Sequence, residues 1–184
     1  LFKNLFFSGQ SEGFMLLQNF LEISAWENPG KIAVICRGQR ATYGEIEEKA
    51  NRLAFFLREN GLKRGDRVAL FLNSSVEAII ALFAVMKADG VFLMLNPALK
   101  PPKLRYILND SQSSVFFGHT SQEKIISESL AATSSVERII WVGERCSIPV
   151  KDWRGVYFHF YEEIVSEEKS KSGSNYPIGA PLES

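Results

Sequence analysis

The chain has 184 residues, 46% hydrophobic and 23% charged, the mixture of an ordinary globular protein. Its 21 basic and 21 acidic residues cancel to a formal charge of zero, which removes any long-range pull toward nucleic acid or an anionic membrane surface. The longest apolar run, Ala78 to Met86, falls far short of the roughly 20 residues of a spanning helix, so it reads as a buried helix and no transmembrane segment is expected.

The two cysteines, Cys36 and Cys146, lie far apart with no C-x-x-C partner. A single disulfide between them stays open, and a reduced, cytoplasmic setting is the expectation. His119 and His159 are isolated, and nothing has the spacing of a structural zinc site. The opening Leu1 to Phe7 is too short and too quickly polar for a signal peptide. The chain begins with Leu1 rather than Met, so a fragment is expected at this end too.

Phe14 to Trp26 places Leu17, Phe20, Leu21 and Ala25 at a helical period, and Asn28-Pro29-Gly30 then turns the chain. Lys31 to Cys36 reads as a strand, Gly38 as a turn, and Arg40 to Thr42 as its antiparallel partner. Thr42-Tyr43-Gly44-Glu45 has the form of a capping box, in which the threonine oxygen takes an orphan backbone N–H while the glutamate reaches back. Ile46, Ala50, Leu53 and Leu57 follow as one helical stripe, and Asn60-Gly61 supplies its stop. Arg67 to Leu72 is a nearly continuous apolar strand, the sign of burial on both faces.

The pattern then recurs. Ser74 to Glu77 is expected to form a second capping box, opening a helix through Lys87, and Asp89-Gly90 stops it before a strand over Val91 to Leu95. Pro101-Pro102 suits a first helical turn, since proline there loses no hydrogen bond. That helix carries Leu104, Ile107 and Leu108 and is expected to end at Asn109-Asp110. Val115 to Phe117 is a strand, Gln122 to Ala131 a helix, and Arg138 to Val142 a strand. Past Pro149 the signal weakens to a strand at Val156 to Phe158, a helix at Tyr161 to Glu168 and a linker over Lys169 to Asn175. Strands alternating with helices at this spacing predict an α/β domain, with a mainly parallel sheet covered by helices.

Chemistry-bearing patterns are few. Gly61 to Gly65 combines glycine with base but lacks the closing Lys-Ser/Thr of a phosphate loop, so it reads as a helix stop and a turn. There is no nucleophile elbow and no kinase signature. Glu45, Glu47 and Glu48 are too close in sequence to face each other across a cleft, and read as a cap and a solvated helix face. Phe71, Phe83, Phe92, Phe116 and Phe117 read as core. Two stretches, Asn73-Ser74-Ser75 and Leu95 to Leu99, lie beyond strand carboxyl ends, where open α/β sheets gather ligands. Turn and cap chemistry accounts for them, yet helix N-termini at Ser75 and Pro101 could help line an anion site.

The order of these features resembles the adenylate-forming, or AMP-binding, enzymes. The matching stretch opens with Ala41 to Ile46, similar to that family's T-Y-x-E-L segment. It continues through Ala50 to Ala54, Gly61 to Ala69, Asn73 to Glu77, Ala84 to Gly90, Leu95-Asn96-Pro97 and Leu104 to Ser111. The resemblance implies the first part of the large N-terminal domain of an ATP-dependent ligase, over residues 1–168, with 169–184 as a linker. Such an enzyme uses ATP and magnesium to activate a carboxylic acid as an acyl-adenylate. It then passes the acyl group to a thiol of coenzyme A or of a carrier protein's phosphopantetheine.

The family's phosphate loop, adenine segment, ribose aspartate and C-terminal lysine have no matching position in residues 1–184. The resemblance therefore transfers no catalytic, cofactor-binding or metal residue, and the chain alone is expected to be inactive. Fatty acids, aryl acids and amino acids all stay open as substrates. The alternative is a non-catalytic interaction or scaffold module that keeps the fold without the reaction. A dinucleotide-binding redox domain is disfavoured because its G-x-G-x-x-G turn is missing.

Overall fold

The computed structural model describes residues 15–133, 135–144 and 155–166. Helix α1 (Leu17–Glu27) leads into a hairpin of β1 (Ile32–Cys36) and β2 (Gln39–Thr42), and then α2 (Tyr43–Glu59). Alternation follows: β3 (Arg67–Phe71), α3 (Val76–Lys87), β4 (Val91–Met94), α4 (Pro101–Ser111), β5 (Val115–His119), α5 (Glu123–Leu130) and β6 (Arg138–Val142). The last described elements are β7 (Tyr157–Phe160) and α6 (Tyr161–Val165). Strands β3 to β7 form one five-stranded sheet in the order β4-β3-β5-β6-β7, every pairing parallel, while β1 and β2 pair antiparallel. The expected parallel α/β architecture is the observed one.

The period of two along each central strand sorts its side chains between two cores. Val68, Leu70 and Leu72, Val115 and Phe117, and Ile140 and Val142 all enter one core with α2 and α3. Ala69 and Phe71, Phe116, and Ile139 and Trp141 enter the other, beneath α4 and α5. Phe71, Phe116, Phe117 and Trp141 lose all solvent contact. At about 1.5–3 kcal/mol for each large apolar side chain fully buried, these central strands carry much of the stabilising free energy. Edge strand β4 is different: Val91 and Met94 stay exposed, and Phe92 and, on α3, Phe83 are only half-buried.

Helix α2 forms because Thr42 Oγ1 accepts from Glu45 N at 3.2 Å and Glu45 Oε2 accepts from Thr42 N at 2.8 Å, the expected capping box. Its stripe of Ile46, Ala50, Leu53 and Leu57 is buried, and Gly61, with φ of 87°, turns the chain. Helix α3 starts one residue later than expected. Ser75 is its cap, accepting from Ala78 N at 3.2 Å, so Glu77 is too early in the first turn to close a box. Helix α4 also runs past its expected end to Ser111. Gln112 then takes the left-handed conformation, φ 51°, with its Nε2 donating to Asn109 O at 2.5 Å. Cys146, the linker over 169–175 and the opening Leu1–Phe14 lie outside the described residues.

Arginines bind helices to their neighbours by donating to backbone carbonyls at helix carboxyl ends, where unpaired oxygens carry partial negative charge. Arg58 of α2 donates to Lys87 O at the end of α3. Arg67 Nε donates to Ser111 O of α4 at 2.8 Å, Arg105 Nη2 to Glu128 O of α5 at 2.8 Å, and Arg52 Nη1 to Val165 O of α6 at 2.7 Å.

Lys87 departs from the surface role that a charged residue ending a helix suggests. It is 6% exposed, and its Nζ lies 2.6 Å from Glu22 Oε1 on α1 and 2.9 Å from Glu47 Oε1 on α2. Glu47 is therefore not on a solvated face. It joins three helices, with Asn51 Nδ2 donating to the same oxygen at 2.9 Å.

Two predictions follow from these contacts. Lys87→Ala leaves Glu47 without its counter-charge and should cost about 3 kcal/mol in urea unfolding, while pairing Lys87→Met with Glu47→Met should recover most of that loss. Equal midpoints for the single and double variants would exclude the ion pair as the source. The second concerns Glu45, whose carboxyl is held below its ordinary value by the Thr42 backbone N–H and then by the Thr42 hydroxyl. A lowered folded-state value stabilises above the unfolded carboxyl's titration range and is lost as pH falls through the folded one. The stability gap between the parent chain and Glu45→Gln should thus shrink on acidification, and a gap independent of pH would contradict this assignment.

Candidate functional site at the carboxyl edge of the sheet

From β3 the chain passes through α3 to β4 on one side, then through α4 to β5 on the other. The loops leaving β3 and β5 therefore diverge, which makes this the topological switch point where open parallel sheets receive ligands. The residues singled out beyond β3 and β4 do lie on this edge, joined by the β5 exit, which sequence reasoning had treated only as an isolated histidine.

Each loop is held by short polar contacts. Beyond β3, Ser75 Oγ caps α3, and Ser74 O accepts from Cys36 Sγ at 3.2 Å, which brings the end of β1 to this rim. Beyond β4, Asn96 Oδ1 accepts from Ala98 N at 2.9 Å, a turn closed by an asparagine side chain. Pro101 occupies the first turn of α4, whose cap position, Lys100, contributes no side-chain bond. Gln122 Nε2, beyond β5, donates to Pro97 O at 2.8 Å and ties the β4 exit to the β5 exit.

His119 ends β5. Its Nδ1 accepts from Ser121 N at 3.1 Å and lies 2.8 Å from Ser121 Oγ. A ring nitrogen that accepts a backbone N–H carries no proton, so in the neutral ring Nε2 is the protonated one. That nitrogen faces Gly143, just past β6. A Cβ at Gly143 would stand 3.0 Å from His119 Nε2 and 2.8 Å from Thr120 Oγ1, and the glycine's φ of 103° disfavours a side chain. The glycine thus keeps the imidazole close to the β6 exit. Distance along the chain hides this pair, and only strand order brings it together.

The other histidine plays no part in this edge: His159 of β7 packs edge-on against Phe56 of α2, ring centroids 4.7 Å apart. A concave region of about 300 Å³ lies between the hairpin and the amino ends of α2 and α3. Gln39, Arg40, Glu45, Lys49, Val76 and Glu77 line it with both signs of charge. Nearby, burial and then the Glu77 charge push the Glu162 carboxyl up, and burial, Glu77 and Glu162 push the Tyr161 hydroxyl up. These effects keep Tyr161 neutral and make it no base.

The switch-point edge therefore presents neutral donors and the starts of α3 and α4, of which α3 alone is capped by a side chain, features that suit the polar surround of an anion. Among the described residues no group of three His, Cys, Asp or Glu side chains is placed to hold a metal ion. No helix among them is long and apolar enough to cross a membrane.

Comparison with known proteins places this fold. The chain is 28% identical over 141 residues to a medium/long-chain-fatty-acid-CoA/3-oxocholest-4-en-26-oate-CoA ligase of Mycolicibacterium smegmatis, covering 77% of this chain and 26% of that protein. It is 38% identical over 99 residues to bacitracin synthase 3 of Bacillus licheniformis, covering 54% of this chain and 2% of that one. The chain thus spans about a quarter of the length of the CoA ligase. Among solved structures, a benzoate CoA ligase of Burkholderia xenovorans superposes with a TM-score of 0.70 at 22% identity, over 83% of this chain and 28% of that one. The family profile described as AMP-binding enzyme matches residues 21–157, most of the chain. With the fold, the switch-point edge and this match in agreement, the chain belongs to the AMP-binding enzyme family.

Proposed function

We propose that this chain is the front portion of an ATP-dependent ligase that activates a carboxylic acid as an acyl-adenylate and transfers it to a thiol. The acceptor is coenzyme A or the phosphopantetheine of a carrier protein. The observation that carries the reading is the family match over residues 21–157, which coincides with the sheet and its switch point. The names of the similar proteins support it, since they pair CoA ligases with peptide synthetases.

On this reading residues 1–168 are scaffold and 169–184 lead into the rest of the ligase. The scaffold sets one wall of a cleft. Its rigid exits at Ser75, Asn96, His119 and Gly143 face the segment that brings the triphosphate-binding and metal-binding groups. These 184 residues supply no nucleophile, no general base and no phosphate-binding lysine to the reaction. ATP and magnesium are bound by the remainder, and the chemistry belongs to the cytoplasm, where reduced thiols persist.

The test is ATP–pyrophosphate exchange by the longer parent polypeptide, supplied with pooled fatty, aryl and amino acids, with the 184-residue chain run in parallel. Exchange by the parent alone is the expected result. Exchange by the 184 residues alone would overturn the division of labour. A folded parent that exchanges with none of the pooled acids would favour a non-catalytic module that keeps the fold.

A further inference from the structure

Asn60-Gly61 is the one Asn-Gly pair in the sequence. The glycine of such a pair has no side chain to shield its backbone nitrogen or to restrict its rotation, so that nitrogen can reach the preceding carboxamide. Attack forms a bond from the glycine nitrogen to the asparagine Cγ. The side-chain nitrogen leaves as ammonia, carrying the proton that the glycine nitrogen gives up. Water then opens the cyclic imide at either carbonyl, leaving aspartate or its β-linked isomer. Nothing but water is consumed.

The fold takes both reacting groups out of use. Asn60 is the carboxyl cap of α2, and Gly61 follows it with φ of 87°. Gly61 N donates to Arg58 O at 2.9 Å and Leu62 N to Leu57 O at 3.0 Å, the paired reverse bonds that close a helix on a left-handed glycine. Leu57 and Leu62, the two positions that such an ending sets together, are both buried. The carboxamide is held as well, since Asn60 Nδ2 donates to Phe56 O at 2.8 Å, one turn back along the helix. The proton that must leave Gly61 is therefore bonded, and the group it would attack is pinned elsewhere. A tertiary contact supports the arrangement. Arg58, whose carbonyl receives the Gly61 N–H, donates through its guanidinium to Lys87 O and lies 3.6 Å from Asp89 Oδ2 at the end of α3.

We propose that Asn60-Gly61 is a latent deamidation site, held closed by the carboxyl end of α2 and reacting only when that end opens. The reaction locks itself in. An aspartate at residue 60 has no amide to give Phe56 O, and its charge stands at the helix end where a negative charge is least favoured. The β-linked isomer also adds a carbon to the main chain, which breaks the spacing of both reverse bonds. One opening that ends in deamidation thus becomes a permanent loosening of this end of α2. The site is independent of which acid the parent ligase activates.

The test is the rate at which the peptide spanning residue 60 takes on the mass of the acid, followed by peptide mapping of the longer parent polypeptide in mildly alkaline buffer. Folded and denatured samples run in parallel. Denatured chain should convert at Asn60 ahead of its other asparagines. Folded chain should convert about tenfold more slowly or less, because the two hydrogen bonds must open first. Equal rates would overturn the latch, and a denatured chain that leaves Asn60 intact would overturn the site. Asn60→Asp examines the product, in a sample whose circular dichroism matches that of the parent. Amide hydrogen exchange at Gly61 and Leu62 should quicken about threefold or more, as expected for a cap that has lost a donor and gained an unfavourable charge. Exchange as slow as in the unaltered protein would overturn the self-locking step.

Discussion

Burial of both faces of a parallel sheet is the constraint on which this structure rests. Parallel strands cannot turn back through a tight hairpin, so each pair requires a crossover, and those from β3 to β4, β4 to β5 and β5 to β6 are each built around a helix that covers a face. β3, β5 and β6 are consequently sealed on both sides, with Phe71, Phe116, Phe117 and Trp141 inaccessible to water. Helices α2 and α3 lie over one face and α4 and α5 over the other because the chain moves outward from β3 to β4 and then returns past it to β5. The same reversal opens the crevice at the strands' carboxyl ends.

Rigidity at that crevice is secured mostly from behind. The arginine contacts with helix carboxyl ends lie at the ends of α3, α4, α5 and α6. Each contact adds an estimated 0.3–1 kcal/mol of charge–dipole stabilisation and, more usefully, sets where a helix stops relative to the next element. Lys87 does the equivalent for α1 and α2 through a buried charge, whose worth lies in specifying one arrangement of three helices. Helix α2, which takes part in three of these five connections, is the member that holds the sheet's first core together.

The edge itself is a rim of short turns, each held by a polar contact or a close approach. The exits of β3, β4, β5 and β6 are closed by Ser75, Asn96, Gln122 and the close approach of Gly143 to His119.

Local chemistry made several elements legible from the residues alone. The Thr42 to Glu45 box works because its two partners are three residues apart, and the stripe from Ile46 to Leu57 repeats within one helix, so both are visible without tertiary information. Apolar continuity from Arg67 to Leu72 announced a strand buried on both faces, and the order of motifs announced the family. The boundary at Ser75 was misread by one residue because Ser74 and Ser75 are chemically alike and only packing chooses between them. Glu47 was assigned to water and Lys87 treated merely as a helix end, since nothing local tells a lysine that its carboxylate partners come from two other helices. The meeting of His119 with Gly143 belongs to the same class. The sequence determined the elements, their order and their kinship; tertiary structure decided which distant residues became neighbours, because contacts between elements depend on strand order and helix placement rather than on separation along the chain.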